Sequence, residues 1–286
     1  MMALPDLAAR LGLRRQARSW RGTCPACGYA GTFSLRPGRG DRVLFACASC
    51  GDRDSIVDAV RRVAGGEVLP QRTAEDHGDA QARRDRKQAA ALRMWNGSGP
   101  APSTIADTYL TGRALPGLAA SPALRFRLEV PHPEGGTLPA MVALVLDMNG
   151  NPMAIHRTYL RRDGSGKADV EPPKATLGPV WGGAIRLDPV APAMVIGEGI
   201  ETSASAGRLI RLPAWAAVSA GNLARGLVLP PEVRSVVIAA DADEAGERAA
   251  RDAALRWARD GRRVRIARPD QAGRDFNDVL RGGDHA

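Results

Sequence analysis

Aromatic residues make up only 4% of the 286-residue sequence, so much of the interior has to be packed by small and aliphatic side chains. No apolar run approaches the roughly 18 residues of a membrane span, which excludes a helical membrane protein. The stretch Met1 to Arg15 has no long apolar segment ahead of a small-residue cleavage site, so we expect no secretory leader and a cytoplasmic location. Thiols stay reduced there, which favours metal binding over disulfides. Cysteine occurs at four positions only, and lysine at three, Lys87, Lys167 and Lys174; arginine supplies the other cations. Acidic residues are outnumbered 31 to 40, for a formal charge of +9 and a pI near 10.2. That balance suits a polyanionic partner bound in a salt-sensitive way, without naming it. An apolar content of 44% over this length still allows one large domain or two to three small ones.

The four cysteines fall as two pairs, Cys24-Pro-Ala-Cys27 and Cys47-Ala-Ser-Cys50. A two-residue spacer turns both sulfurs of a pair to one side, and two pairs complete a tetrahedron around Zn2+. Between them Thr32–Leu35 and Arg42–Phe45 alternate as short strands, with Pro37-Gly38-Arg39-Gly40 as the turn. Gly28 and Gly51 follow each pair, where the turn needs a permissive backbone. These features predict a zinc-ribbon hairpin. Asp54-Ser55 then caps a helix whose apolar face is Ile56, Val57, Val60 and Val63. Eleven arginines against five aspartates in residues 1–66 make this module basic.

Residues 67–90 turn polar and charged, as a mobile tether or a solvated helix; Ala89 to Trp95 is more apolar and helical in pattern. Pro102–Leu110 reads as a capped helix ending at Gly112. Met141–Asp147 is a buried strand, Asn149-Gly150-Asn151 a tight turn, and Met153–Leu160 the returning strand. Gly164-Ser165-Gly166-Lys167 is not a phosphate loop: Arg161 stands where the first glycine is required, and Ala168 where a hydroxyl would hold magnesium. His156 suits either a substrate contact or a hydrogen-bonded structural role.

From 191 onward strand and helix alternate, which predicts a parallel sheet covered by helices. The strands are Met194–Gly199, Ala214–Ser219, Ser235–Ala240 and Arg263–Ala267; the helices are Glu201–Leu209, Glu244–Arg259 and one starting at Asp275. Sites in such sheets gather at the carboxyl ends of strands. Glu198 ends one strand, and Asp241 and Asp243 end another. Three hard oxygen ligands converging from two strand ends suit Mg2+ or Mn2+ in an open site that recruits phosphates. Glu201, Asp275 and Asp278 are each a cap, an ion-pair partner or an outer ligand.

Val195-Ile196-Gly197-Glu198-Gly199 together with Ile238–Gly246 resembles the Toprim domain of bacterial primases, topoisomerases and some nucleases, and Gly273–Leu280 is similar to the acidic segment that closes that domain in primases. The N-terminal module resembles the zinc-binding domain of DnaG-like and phage or plasmid primases. Tyr109-Leu110-Thr111-Gly112-Arg113, and Asn149–Arg157 followed by Lys174, resemble primase-core segments that lie near nucleotide. The resemblance implies a mixed α/β chain: a zinc-ribbon domain over 1–66, a charged linker or helix over 67–95, a basic α+β primase-core segment over 96–190 and a Toprim domain over 191–286. It implies a DNA-directed RNA polymerase of the primase type, making short primers from ribonucleoside triphosphates on single-stranded DNA for mobile-element or phage replication, with a separate replicative helicase as a further partner. Glu198, Asp241 and Asp243 would be catalytic and hold Mg2+ or Mn2+. Arg113, Arg157 and Lys174 would contact phosphate, and Cys24, Cys27, Cys47 and Cys50 would hold structural Zn2+. A RecR-like non-catalytic scaffold and a Toprim metal-dependent nuclease are the rival expectations. A topoisomerase is excluded, since Tyr29, Tyr109 and Tyr159 sit in no recognisable cleavage motif and the chain is too short for a strand gate.

Overall fold

The computed structural model describes residues 3–16, 19–26, 28, 31–38, 43–47, 53–65, 74–269 and 274–283. The chain divides into two compact units, Met1–Ala80 and Gln81–Ala286.

In the first unit, helix α1 (Leu4–Arg10) precedes strands β1 (Arg14–Gln16), β2 (Ser19–Gly22), β3 (Phe33–Pro37) and β4 (Val43–Cys47), followed by helix α2 (Arg53–Val63). The strands form one antiparallel sheet in sequence order. The expected hairpin is thus β3–β4, with Phe33 opposite Cys47 and Leu35 opposite Phe45. Phe33 and Leu35 are buried, because alternation puts both on the inner face. Ile56, Ala59 and Val60 of α2 are buried as well. β1 and β2 were not expected, being short, arginine-rich and without apolar alternation. The turn at Arg39-Gly40, Arg42, Gly51, and Cys27 and Cys50 of the zinc set lie outside the described residues. So do residue 66 and 67–73 of the linker, but from Ala74 to Asn96 the chain is a continuous helix, α3.

In the second unit the first sheet runs β5 (Gly99–Pro100), β6 (Leu124–Pro131), β7 (Thr137–Leu146), β8 (Pro152–Tyr159) and β9 (Lys174–Leu177), all antiparallel. Helix α4 (Ile105–Gly112) lies between β5 and β6, capped by Thr104, whose hydroxyl accepts from the Ala106 N–H at 3.2 Å. Ala91 and Trp95 of α3, one helical turn apart, pack on one face of this sheet with Val130, Val142, Ile155 and Tyr159.

The second sheet has the order β10-β12-β11-β13-β14, from β10 (Ile185–Arg186), β11 (Ala193–Gly197), β12 (Ala214–Ala216), β13 (Ser235–Ala239) and β14 (Arg263–Ala267). β11 to β14 are parallel, as expected, and β10 adds an antiparallel edge. Helices α5 (Ile200–Ile210), α6 (Glu244–Arg259) and α7 (Phe276–Gly283) complete the layers. Small residues do much of the packing: a Cβ on Gly207 would stand 2.8 Å from that of Ala214, so α5 lies close on β12. The other face of the first sheet shares one apolar core with the second, since Met141, Ala143, Val145 and Leu160 pack with Ile200, Ala204 and Ala216.

Candidate active site

β11 and β13 are neighbours in the second sheet, with Gly197 opposite Ala239. Glu198 follows the first directly and Asp241 follows the second by two residues, so the parallel register brings both to one sheet end. A β-branched residue in the left-handed region, Val218 at φ 72°, turns the chain after β12. Its N–H donates to the Glu198 carbonyl at 2.9 Å, and the Ala220 N–H reaches the Glu198 carboxylate. A bulky residue held at positive φ stores strain of the kind that clusters at functional sites, and nothing in the sequence announced it.

Burial, with Asp241 and Asp243 close by, pushes the Glu198 carboxyl up to about 7, against the pull of Lys174. Burial raises Asp241 as well; a hydrogen bond from the Thr202 hydroxyl at 3.0 Å opposes the rise, while Asp243 and Asp275 add to it. Asp243 caps α6, its Oδ1 accepting from the Gly246 N–H at 2.6 Å. A Cβ on Gly246 would stand 2.8 Å from the Asp241 carbonyl oxygen, so this glycine lets α6 begin against Asp241. Asp275 and Asp278 form a capping box on α7: the Asp278 N–H donates to Asp275 at 2.8 Å, and the Asp275 N–H to Asp278 at 3.2 Å.

The first sheet supplies the positive side. In the β8–β9 pair Thr158 is opposite Lys174, Arg157 opposite Ala175 and His156 opposite Thr176. Side chains alternate, so Lys174, Thr158 and His156 share one face and Arg157 takes the other. Lys174 interacts with Glu198, Asp241 and Glu201. Arg157 is 7% exposed and donates to the carbonyls of Pro131, Ala175 and Thr176 at 3.0, 3.4 and 3.2 Å. This corrects the expectation for Arg157: its guanidinium braces β9 from behind and does not share the face of Lys174. Arg113 follows α4; its carbonyl accepts from Asn277 at 2.6 Å, and its buried Nε has no hydrogen-bond partner among the described residues.

Lys167 comes from the loop after β8. Gly164, at φ 74°, packs that loop on Thr108 of α4, where a Cβ would meet the threonine at 2.9 Å. The Gly-Ser-Gly-Lys run is therefore a tight turn delivering Lys167, consistent with its rejection as a phosphate loop. The Lys167 ammonium lies 3.1 Å from Glu201, which is 6% exposed and also accepts from the Tyr109 hydroxyl at 2.5 Å. Burial alone would raise the Glu201 carboxyl, but Lys174, Lys167 and Tyr109 hold it well below the usual carboxylate range. Burial and Glu201 together drive the Tyr109 hydroxyl strongly upward. His156 is pushed down to about 3 by burial and by Lys174, so it is neutral, and its buried Nδ1 has no hydrogen-bond partner among the described residues. Tyr109 was visible in a motif and Glu201 as an acidic residue; their pairing and the part of Lys167 were not.

The acidic set suits a divalent cation in its chemistry, because a cation would offset the burial and the repulsion that raise Glu198 and Asp241. Among the described residues no group of three or more acidic, histidine or cysteine side chains is arranged to hold a metal ion by itself. A divalent ion that shares substrate phosphate can be held by one or two carboxylates. In the first unit Cys24 is buried, Cys47 lies 3.3 Å from the Thr32 hydroxyl, and Gly28 takes φ 74° with its N–H on the Cys24 carbonyl. That turn fits a thiolate knuckle. Among the described residues no helix is long and apolar enough to cross a membrane.

Residues 193–284 match the Toprim domain family, and residues 85–187 match a domain of unknown function, DUF7146. The curated proteins contain no match. Among solved structures, the DnaG primase catalytic domain bound to ssDNA is 16% identical, covering 70% of this chain and 78% of that one, with a TM-score of 0.50. A DNA primase domain from Pseudomonas aeruginosa is 18% identical over 68% and 74%, at 0.47. The Aquifex aeolicus primase, with its zinc-binding and RNA polymerase domains, is 14% identical over 99% and 83%, at 0.48. The chain carries a Toprim domain on a DNA primase-like fold, as its motifs led us to expect.

Proposed function

We propose that this chain is a metal-dependent nucleotidyltransferase of the primase type, making short RNA primers on single-stranded DNA for the replication of a mobile element or phage, with a separate helicase to expose the template. One observation carries the reading: Glu198, Asp241 and Asp243 repel one another at a sheet end while Lys174 faces them from the other sheet. That is an anionic seat for a cation beside a cationic seat for a polyphosphate, and phosphoryl transfer needs both.

Glu198, Asp241 and Asp243 would hold Mg2+ or Mn2+. When bound, the ion would neutralise charge on the reacting phosphates and lower the pKa of an attacking hydroxyl. Lys174, Lys167 and Arg113 would bind and orient the triphosphate. Thr202 and Gly246 fix Asp241 by a hydrogen bond and by close packing. Cys24, Cys27, Cys47 and Cys50 would hold Zn2+ in the basic first unit, which would engage the template strand. The similar DnaG catalytic domain was solved bound to single-stranded DNA, which supports the same partner here.

The test is Asp241→Asn in the full chain, given single-stranded DNA, ribonucleoside triphosphates and Mn2+. Loss of one ligand should lower primer synthesis at least about a hundredfold while template affinity changes little. Wild-type synthesis by the variant would sink the reading. Shortening of labelled DNA without new RNA would favour a nuclease, and metal-independent DNA binding with no incorporation a RecR-like scaffold.

A further inference from the structure

Arginine supplies nearly all of the positive charge of this chain, yet two of its three lysines act on one carboxylate, Lys167 by direct contact and Lys174 through space. That carboxylate, Glu201, sits in the first turn of α5. One of its oxygens takes both the Tyr109 hydroxyl, at 2.5 Å, and the Lys167 ammonium, at 3.1 Å. Four elements converge there: α4 brings Tyr109, the loop after β8 brings Lys167, β9 brings Lys174 and α5 brings Glu201. The next residue along α5, Thr202, holds Asp241. One helical turn thus ties the cationic side of the site to the acidic side.

The side chain of Lys167 is 30% exposed while that of Glu201 is 7% exposed. The ammonium therefore caps a buried anion and still opens outward. An ammonium has three donors and can give one to Glu201 while offering the others to a ligand; a guanidinium in the same place would present a rigid planar fork. A buried carboxylate without such partners would be costly, so Glu201 and the lysines hold one another in place.

Resting on the nucleotidyl-transfer reading above, we propose that Glu201 is a positioning residue, an internal counter-ion that holds Lys167 beside Lys174 so that both ammonium groups meet the polyphosphate of the incoming nucleotide. It is not a ligand of the divalent ion.

The test uses the full chain and two titrations that need no catalysis: inorganic tripolyphosphate and Mn2+, each followed by calorimetry on protein shown to be folded by circular dichroism. Glu201→Gln should weaken tripolyphosphate binding about tenfold or more, the worth of an oriented charge-assisted hydrogen bond. It should leave Mn2+ affinity within about twofold, since no metal ligand is lost. Glu201→Asp should recover part of the loss. Unchanged tripolyphosphate affinity in folded Glu201→Gln would overturn the assignment, and so would a parallel loss of Mn2+. If that variant does not fold, Tyr109→Phe keeps the charge and removes one donor: about threefold weaker tripolyphosphate binding supports the assignment, and no change overturns it. A wild-type chain that binds tripolyphosphate but makes no primer would defeat the proposed reaction, with Glu201 still judged by the titrations.

Discussion

The hydroxyl of Thr202 donates to Asp241 across 3.0 Å, so the helix that follows Glu198 grips the carboxylate that follows the neighbouring strand. The two halves of the acidic set are thereby held in register by a side chain whose hydroxyl is given to Asp241. Thr202→Val keeps the shape and removes the bond. It should cost about 1 kcal/mol of stability. Without that donor the Asp241 carboxylate is free to turn, so Mn2+ affinity should fall about fivefold; calorimetry with urea denaturation checks both.

The pH dependence of stability contains opposed contributions. Without added divalent metal, folded Glu198 keeps its proton to about 7, whereas its ordinary value is 4.5. Its contribution is therefore full below 4.5 and is lost as pH rises through 7. His156 is depressed to about 3 from 6.5, so its contribution is full above 6.5 and is lost as pH falls toward 3. Between 4.5 and 6.5 the two slopes oppose each other, and Asp241, also raised by burial, acts in the same sense as Glu198. Glu198→Gln removes one contribution of that sense, so the variant should lose stability on acidification by up to about 1.4 kcal/mol per unit, more than the wild type does. Urea midpoints at stepped pH decide it; a flat profile for the variant would contradict the assignment.

Gly246→Ala should be costly out of proportion to one methyl group. The added carbon would stand 2.8 Å from a backbone oxygen of Asp241, and neither partner is a flexible side-chain end. We expect a loss of about 1–3 kcal/mol, read as a lower Tm, together with weaker Mn2+ binding as Asp241 shifts. Equal Tm and equal metal affinity would show that α6 can slide.

Arg157 and Lys174 should separate cleanly. Arg157→Met strips donors from three carbonyls, two of them in β9, and should cost about 2–4 kcal/mol. Tripolyphosphate affinity of the folded fraction should stay within about threefold. Lys174→Met should do the reverse, with a smaller loss of Tm and about tenfold weaker tripolyphosphate binding. A larger binding loss for Arg157→Met than for Lys174→Met would restore Arg157 as a phosphate contact.

These residues also mark how far the sequence could be read. Glu198 and Asp241 were legible because a parallel strand announces its own carboxyl end: an apolar run, then an acid, then a helix. Lys174 and Arg157 looked equivalent because face assignment depends on a pairing register that no local pattern carries. β9 is four residues long and follows the Pro172-Pro173 pair, so alternation could not reveal it. Glu201 meets Tyr109 across 92 positions of chain, a contact that exists only after the two sheets have packed. The cysteine pairs were legible as a motif, and Cys27 and Cys50 lie outside the described residues.

The apolar interior shared by the two sheets has a consequence for how this protein can be divided. The family boundary between 187 and 193 is a border between recognisable sequences and not a seam of the molecule. Cut there, the downstream piece would turn Ile200, Ala204 and Ala216 toward water, and the upstream piece Met141, Ala143 and Val145. Neither half is a portable cassette: insertions and fusions belong at surface turns such as Asn149-Gly150, not at the join that sequence families would suggest.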